Sequence, residues 1–246
     1  MNKHLIISIL VFTFLALTVI VVSELLAVLF IGKSVPTPKI PREPITIGKG
    51  SALTYVVMGD STSIAQGSDY ESGYALASAR HVAKNHTVTF INTGISGATT
   101  KTVLEAQLEK AMSYKPDLVL LAVGANDTTH FTSATSLKDS AQSIIDGLRS
   151  VNPNVRIVMT RSPAMDSVTR FPFISKWVMA LRTKQVNKAL GAIITKNDLT
   201  LAPIAEKTRE PFMKDPTLTA QDHFHPNARG YALWIPVVNA ALDKAL

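Results

Sequence analysis

The sequence predicts an α/β protein, a three-layer α/β/α sandwich on a mainly parallel five-stranded sheet, preceded by an N-terminal transmembrane helix. From Leu53 onward, short apolar runs alternate with longer helix-like segments, a pattern typical of parallel sheets covered by helices. The run 118–123 is apolar at every position, as strands buried on both faces are. The uncharged apolar stretch 5–23 indicates the membrane helix.

Residues 1–31 are predicted to form a membrane anchor. The stretch 5–23 carries no charge, and about 19 helical residues extend roughly 28 Å, close to the thickness of a bilayer's hydrocarbon core. A helix of a soluble core would show a polar face, which this stretch lacks. A cleaved signal peptide is the alternative, although LAVLFIGKS offers only a poor cleavage site. Glu24 is expected near the lipid headgroups.

The orientation of this helix is predicted from two opposing rules. Lys3 lies on one side of it, and Lys33, Lys39 and Arg42 lie on the other. The positive-inside rule alone would keep the C-terminal side in the cytoplasm. Because a single N-terminal signal anchor usually exports the chain that follows, we expect a cell-membrane protein whose folded domain is extracytoplasmic, with secretion after cleavage as the alternative.

Residues 32–52 are predicted to form a stalk. Pro36, Pro38, Pro41 and Pro44 hold the backbone extended and remove hydrogen-bond donors that a helix or a central strand would need. The folded domain is therefore expected over residues 53–246.

The domain's elements are predicted in the order of a flavodoxin-like sandwich. The predicted strands are LTYVVMG, HTVTFINTG, DLVLLAVG, RIVMTRS and a short strand near LTLAPI. The predicted helices cover residues 74–84, 102–113, 137–151 and 173–196, with a final helix after Pro226.

Composition excludes several classes of function. The chain has no cysteine, which excludes disulfides, thiolate zinc sites and cysteine nucleophiles. The net charge is +7, but Lys and Arg form neither a dense block nor a stripe interleaved with aromatic residues. We therefore expect weak attraction to anionic surfaces and no binding of nucleic acid.

Small polar residues follow three of the predicted strands. They are 59–61 (Gly-Asp-Ser), 92–97 and 124–127 (Gly-Ala-Asn-Asp). In open α/β sheets, ligands bind outside the carboxyl ends of the strands, so these residues are the candidates for a site. Each segment alone is equally well explained as ordinary turn chemistry. Asp60 is expected to fix the turn through backbone N–H groups.

A serine nucleophile needs a base and a group that orients the base. Among the six histidines, His225 has a carboxylate at a fixed short distance, because Asp222 lies three residues before it. Pro226 restricts His225 to extended conformations and suits the first turn of the final helix. His223 is the rival base. A metal site at DHFH, or a polar helix start without chemistry, are the other interpretations of the same residues.

Acyl transfer also needs donors that stabilise a negative oxygen, usually the largest single contribution to catalysis. Asn126 can offer its side-chain amide, and Gly97 allows its backbone N–H to approach a ligand closely. The N–H of Ser61 can supply a third donor. Asn126 and Gly97 are, taken singly, also typical turn residues.

These residues resemble the SGNH/GDSL hydrolases. GDST resembles the family's first block, with Ser61 as the nucleophile, and NTGISGATT resembles the second, with Gly97 as an oxyanion donor. GAND supplies Asn126, and DHFHP supplies Asp222 and His225. The resemblance covers residues 54–246 in the family's order. Thr62 replaces the leucine of the GDSL pattern, and Ala125 stands where a second glycine is frequent, which affects the expected substrate preference more than the activity.

The resemblance implies a membrane-anchored serine esterase that acts without metal or other cofactor on a small-molecule, lipid or glycan ester. An extracytoplasmic acyltransferase acting on glycans and a non-catalytic binding domain are the alternatives. Loops after the first and third strands are expected to line the substrate pockets. Tyr70, Tyr74, His130 and Phe131 are candidates for contacts there, with solvent-exposed loop residues as the equal alternative.

Overall fold

The structure is a computed structural model that describes residues 3–41 and 43–246. Two predictions fall partly outside the described residues. They are the charge of Arg42 beside the anchor and the first two residues of the anchor itself. The α-helices are α1 (Lys3–Phe30), α2 (Tyr74–Val82), α3 (Thr100–Ala106), α4 (Leu108–Ser113), α5 (Ala125–Thr129), α6 (Ala134–Val151), α7 (Phe173–Lys196), α8 (Ile204–Lys214) and α9 (Ala228–Ala245). The strands are β1 (Ile45–Ile47), β2 (Ser51–Gly59), β3 (His86–Asn92), β4 (Leu118–Ala122), β5 (Arg156–Thr160) and β6 (Thr200–Ala202).

The strands of the described residues form one mixed sheet in the order β1-β3-β2-β4-β5-β6. Strands β2 to β6 are parallel, as predicted, and β2 lies in the centre with Val57 opposite both Asn92 and Leu120. The predicted count of five strands is wrong by one, because β1 pairs antiparallel with β3 at the edge of the sheet. This strand lies within the segment predicted as a stalk. The four prolines before it favoured the prediction of a stalk, although three β-branched residues, typical of a strand, begin immediately after Pro44.

Helices cover both faces of the sheet, which gives the predicted three layers. On one face, alternate residues of β2 such as Tyr55 and Val57 pack with α2, α8 and α9. On the other face, Val56 and Met58 pack with α3, α4, α6 and α7. All five residues of β4 are buried, which explains its continuous apolar sequence.

Helix α6 illustrates how the sequence specifies one of these layers. The hydroxyl of Ser133 accepts a hydrogen bond from the N–H of Ser136 and caps the first turn. Buried Leu137, Ala141 and Ile144 then recur at helical spacing. The apolar side of α6 therefore faces the sheet, and its polar side faces solvent.

Helix α1 is a long apolar helix that is not buried by the rest of the protein. Within the described residues, Lys3–Phe30 is long and apolar enough to cross a membrane, and its most apolar window has no buried part. A helix of this kind near the N-terminus fits a membrane anchor or a signal sequence. Its C-terminal end contacts the folded domain beside the start of α7.

The remaining differences from the predicted elements are local. The predicted helix 102–113 is two helices, α3 and α4, interrupted at Gln107. Helices α5 and α8 were not predicted, since α5 has only five residues and α8 contains Pro211. The final helix begins at Ala228, because the side chain of Asn227 caps its first N–H groups. Pro226 therefore precedes the helix and does not lie in its first turn.

Candidate active site

Ser61 lies at the carboxyl edge of the sheet, on the sharp turn that follows β2. The turn begins at Gly59, where a Cβ atom would stand 2.6 Å from the carbonyl oxygen of Ala122 on β4. Only glycine allows β2 and β4 to approach this closely at the end of the strand. Ser61 itself is 4% exposed. The sheet therefore holds the hydroxyl group at a fixed point on its edge.

Asp60 fixes this turn from below. Its carboxylate accepts hydrogen bonds from the N–H and the hydroxyl of Thr62, both at 2.8 Å. The hydroxyl of Thr62 also lies 3.1 Å from that of Tyr74. Burial raises the pKa of Asp60 to about 6, although the hydrogen bonds from Thr62 and the charge of His225 act in the opposite direction. Asp60 thus bonds to the backbone of the turn, as the sequence predicts.

Two buried amides that sequence reasoning missed support the same turn. Gln107 donates to the carbonyl oxygen of Gly59 at 2.8 Å and accepts from its N–H at 2.9 Å. Asn92 donates to the carbonyl oxygen of Ser63 at 2.8 Å. Both side chains belong to segments far from the turn in sequence. Gln107 gives only one local signal, namely that it interrupts a predicted helix.

His225 reaches Ser61 from the loop before α9. Its Nε2 lies 2.9 Å from Oγ of Ser61, and its Nδ1 lies 2.5 Å from Oδ2 of Asp222. The other oxygen of Asp222 accepts hydrogen bonds from the N–H groups of Phe224 and His225, both at 3.0 Å. The structure therefore brings Ser61 together with Asp222 and His225, from which it is separated by more than half of the chain.

The hydrogen bonds define the protonation states of this group. Burial acts to raise the pKa of Asp222, but the hydrogen bonds from His225 and from the N–H of Phe224 outweigh it and lower the pKa below its ordinary value. An ionised Asp222 accepts a hydrogen bond from Nδ1–H of His225, which leaves Nε2 of His225 as an acceptor for the hydroxyl of Ser61. This tautomer is the one that a general base requires.

His223, the rival base, is directed away from Ser61. It is exposed, adopts a φ of 57°, and its Nδ1 lies 3.3 Å from the hydroxyl of Thr169. Among the described residues, no group of three or more acidic or histidine side chains is arranged to hold a metal ion.

The predicted oxyanion donors follow β3 and β4, the strands on either side of β2. Gly97 is exposed and has a φ of +78°, a conformation that glycine adopts without strain. Asn126, 7% exposed, donates one amide hydrogen to the carbonyl oxygen of Ala98 at 3.1 Å, which joins the two loops. Within the described part of the chain, the N–H groups of Ser61 and Gly97 donate to no other protein atom. They are therefore free to bind a ligand.

A narrow cleft of about 30 Å³, partly open to solvent, lies beside Ser61. Ser61, Asn126 and His225 lie on its wall. Its apolar lining comes from Met165, Val168, Phe212, Phe224 and Trp234.

The four predicted contact residues do not line this cleft. Tyr70 and Tyr74 are buried beneath the turn of Ser61, and Phe131 lies in a different groove, beside α1. His130 instead bonds to the carbonyl oxygen of Asn126. Residues 163–168, which follow β5, form one wall of the cleft in their place, and no motif in the sequence distinguishes them.

A parallel sheet with a serine, a histidine and an aspartate in series at its carboxyl edge defines a class, the α/β proteins built for serine-dependent acyl transfer. The chain belongs to the GDSL-like lipase/acylhydrolase family, whose model matches residues 57–233. The resemblance noted in the sequence is thereby confirmed, and the chain is a carboxylic ester hydrolase by family.

Solved structures share the fold at low sequence identity. TesA is 22% identical, with a TM-score of 0.65 over 78% of this chain and 99% of that chain. The psychrotrophic esterase EstA from Pseudoalteromonas sp. is 19% identical, with a TM-score of 0.60 over 78% of this chain and 97% of that chain. The acetyl xylan esterase AlAXEase is 20% identical, with a TM-score of 0.59 over 77% of this chain and 100% of that chain. No curated protein sequence gives a significant match.

Proposed function

We propose that this protein is a membrane-anchored serine esterase in which Ser61 is the nucleophile, His225 the general base and acid, and Asp222 the group that orients His225. The observation that carries the proposal is the unbroken series of hydrogen bonds from Asp222 through His225 to the hydroxyl of Ser61. Burial of Asp222 and Ser61 keeps water from competing for these bonds.

In the first half of the reaction, Oγ of Ser61 attacks the carbonyl carbon of the ester while Nε2 of His225 takes the hydroxyl proton. The negative charge that forms on the carbonyl oxygen is stabilised by the N–H groups of Ser61 and Gly97 and by the amide of Asn126. The alcohol leaves with the proton from His225, and the acyl group remains on Ser61.

In the second half, a water molecule attacks the acyl-enzyme and gives a proton to His225. That proton returns to Oγ of Ser61 as the carboxylic acid departs. Every proton in the cycle passes through Nε2 of His225. The ionised carboxylate of Asp222 stabilises the imidazolium that forms twice in each turnover.

The lining of the cleft favours an ester with an apolar acyl group or alcohol. Apart from the reacting groups, its wall is formed largely by Met165, Phe212 and Trp234. No Asp, Glu, Lys or Arg side chain lies on this wall within the described residues, so an uncharged substrate portion fits it best.

Residues 1–31 are proposed to anchor this enzyme in the cell membrane, with the catalytic domain outside the cytoplasm. The support is the apolar helix α1, which the domain leaves unburied. Residues 32–44 form the connection, and the folded domain begins at β1. Proteolysis of intact cells tests the orientation, because an exported domain is digested whereas a cytoplasmic domain is protected.

The esterase is tested with p-nitrophenyl acetate and butyrate. Ser61→Ala is expected to reduce hydrolysis to the level of the uncatalysed reaction. The matched control is Ser113→Ala, since Ser113 is exposed and its hydroxyl bonds only to the carbonyl oxygen of Lys110 in its own helix. Full activity in Ser61→Ala would show that the nucleophile lies elsewhere.

A further inference from the structure

The first half of α7 exposes an unusually apolar surface. Phe173, Trp177 and Leu181 follow one another at intervals of four residues and are 83%, 75% and 62% exposed. Ile174 and Val178 flank them and are 42% and 37% exposed. These five residues are called the α7 apolar face. Soluble proteins rarely expose a continuous apolar patch of this kind without a partner.

The α7 apolar face adjoins the C-terminal end of α1. The carboxylate of Glu24 accepts hydrogen bonds from the N–H of Ile174 at 3.1 Å and from the N–H and hydroxyl of Ser175 at 3.2 and 2.9 Å. Arg170 donates to the carbonyl oxygen of Val28 at 3.0 Å. These bonds hold the first turn of α7 beside residue 24 of α1.

The length of α1 indicates where the contact between α1 and α7 lies relative to the bilayer. The uncharged stretch 5–23 extends roughly 28 Å as a helix, which matches a hydrocarbon core of about 30 Å. If this stretch spans the core, the boundary between hydrocarbon and headgroups falls at Glu24. The first turn of α7 is bonded to Glu24, so the α7 apolar face lies at the same level.

The composition of α7 fits the interface between lipid and water. Tryptophan concentrates at this level of membrane proteins because its ring is apolar and its N–H is polar. The row of Phe173, Trp177 and Leu181 continues along the same side of the helix to Lys184 and Lys188, both exposed. The row therefore changes from apolar beside α1 to basic further away, as expected for a helix that meets anionic headgroups.

The same region adjoins the active-site cleft. Met165, Val168 and Phe224 line the cleft and belong to an apolar cluster that also contains Met179 of α7 and Val28 of α1. An apolar groove of about 450 Å³ lies between the C-terminal end of α1 and the first half of α7. Contact of α7 with a membrane would therefore hold the cleft close to the membrane surface.

We propose that the α7 apolar face is a membrane-binding surface that enters the interfacial layer of an anionic lipid bilayer and holds the active-site cleft there. The proposal rests on the membrane anchoring proposed above and does not depend on the roles of the catalytic residues. The bilayer is the occupant that the structure favours, because α1 itself requires a bilayer and ends on this face.

The experiment uses the full-length chain reconstituted in vesicles of phosphatidylcholine and phosphatidylglycerol. The chain has two tryptophans, and Trp234→Phe leaves Trp177 as the only one. Quenching by lipids brominated on their acyl chains reports contact with the bilayer, and quenching by iodide reports contact with water. If Trp234→Phe does not fold, the difference between the native protein and Trp177→Phe gives the same signal, because Trp234 is 4% exposed.

The matched control places a tryptophan at the opposite edge of the sheet. Asn154→Trp, combined with Trp177→Phe and Trp234→Phe, puts the ring in the exposed turn before β5, at the amino edge of the strands. We expect brominated lipids to quench Trp177 and not the control. We also expect iodide to quench Trp177 severalfold less than the control.

Each other outcome overturns the proposal in a distinguishable way. If the protein floats with the vesicles and iodide quenches Trp177 as strongly as the control, the anchor stands and the membrane-binding surface is wrong. If neither quencher reaches Trp177 and cross-linking through α7 gives a dimer, a second copy of the chain covers this face. If the protein does not float with vesicles, both the anchor and the surface are wrong, whereas hydrolysis of soluble esters is unaffected.

Discussion

Ser61 stands on a turn that the buried core supports from below, whereas His225 stands on a loop that depends on segments at the surface. Gln107, Asn92 and Asp60, which hold the turn, are each at most 6% exposed. The loop of His225 is held by backbone bonds. Its residues 220–225 bond to one another, and the carbonyl oxygen of Gln221 accepts from the N–H of Lys33.

Because of this difference, mutations near Ser61 and mutations near His225 should affect different properties, stability in the first case and turnover in the second. Variants in the support of Ser61 should lower the stability of the whole domain, because they leave buried polar groups without partners. Variants in the support of His225 should lower turnover with less effect on stability, since a small displacement of the base disrupts the hydrogen bond that catalysis needs. The four predictions below use this contrast, from the largest expected effect to the smallest.

Asp222→Asn should have the largest effect on turnover. An amide in place of the carboxylate favours the wrong tautomer of His225 and no longer stabilises the imidazolium, so kcat should fall by roughly 10⁴-fold. Steady-state kinetics with p-nitrophenyl acetate measure this effect. A decrease in KM alone, with kcat unchanged, would exclude Asp222 as the group that orients the base.

Gln107→Ala should have the largest effect on stability. The variant leaves the N–H of Gly59 buried without a partner, whereas the carbonyl oxygen of Gly59 keeps the N–H of Ile95 as a donor. The loss should cost about 1–3 kcal/mol of the free energy of unfolding. Urea denaturation measures this loss. Gln142→Ala is the matched control, because Gln142 is only partly buried and bonds to Asp146 and Asn197, and it should cost less than about 1 kcal/mol. Equal losses in both variants would contradict the role of Gln107.

Asp60→Asn should change stability in a manner that depends on pH. The pKa of Asp60 is raised to about 6 in the folded protein, above the ordinary 3.8, so the folded state binds the proton more tightly. The stability that this proton contributes is present below about pH 4 and is lost as the pH rises through about 6. The native protein therefore carries a buried charge at pH 8. Asparagine removes this charge and should stabilise the domain there by up to about 3 kcal/mol.

At pH 4 the advantage of Asp60→Asn should be largely lost, since Asp60 is then neutral in the folded state and about half ionised in the unfolded state. Thermal denaturation of both proteins between pH 4 and pH 8 provides the comparison. A difference in melting temperature that stays constant across this range would show that Asp60 does not titrate as the structure indicates.

Gly32→Ala should have the smallest effect, and it tests the surface support of His225. Gly32 has a φ of +86°, and a Cβ there would stand 2.4 Å from the carbonyl oxygen of Asp222. The loop of Asp222 and His225 must then move, so kcat should fall by about tenfold. Gly48→Ala is the matched control, because Gly48 has a φ of +83° and a similar close approach, to Ala83, at the opposite edge of the sheet. Equal values of kcat in the two variants would contradict the coupling.

Much of the fold follows from local sequence patterns. The parallel order of β2 to β6 and the C-terminal end of α6 could be predicted because buried strands are continuously apolar and helices repeat with their own period. Strand β1 could not be predicted in the same way. It has three residues, and its pairing with β3 depends on a partner that begins about forty residues later in the chain.

The residues of the candidate site also fall into two groups, those that local sequence predicts and those that depend on tertiary contacts. Ser61, Asp222 and His225 could be proposed because each stands in a short motif next to a strand or helix end, and the sheet brings such ends to one edge. Gln107 and the lining residues 163–168 could not, since their positions depend on tertiary contacts that no local motif records.

The most direct test of the central claim is to locate the site of reaction with a fluorophosphonate, a probe that reacts with activated serines. The account predicts a single modified residue, Ser61, identified by peptide mass spectrometry, and near-complete loss of labelling in His225→Ala. Labelling of a different serine, or labelling of Ser61 at an undiminished rate in His225→Ala, would contradict it.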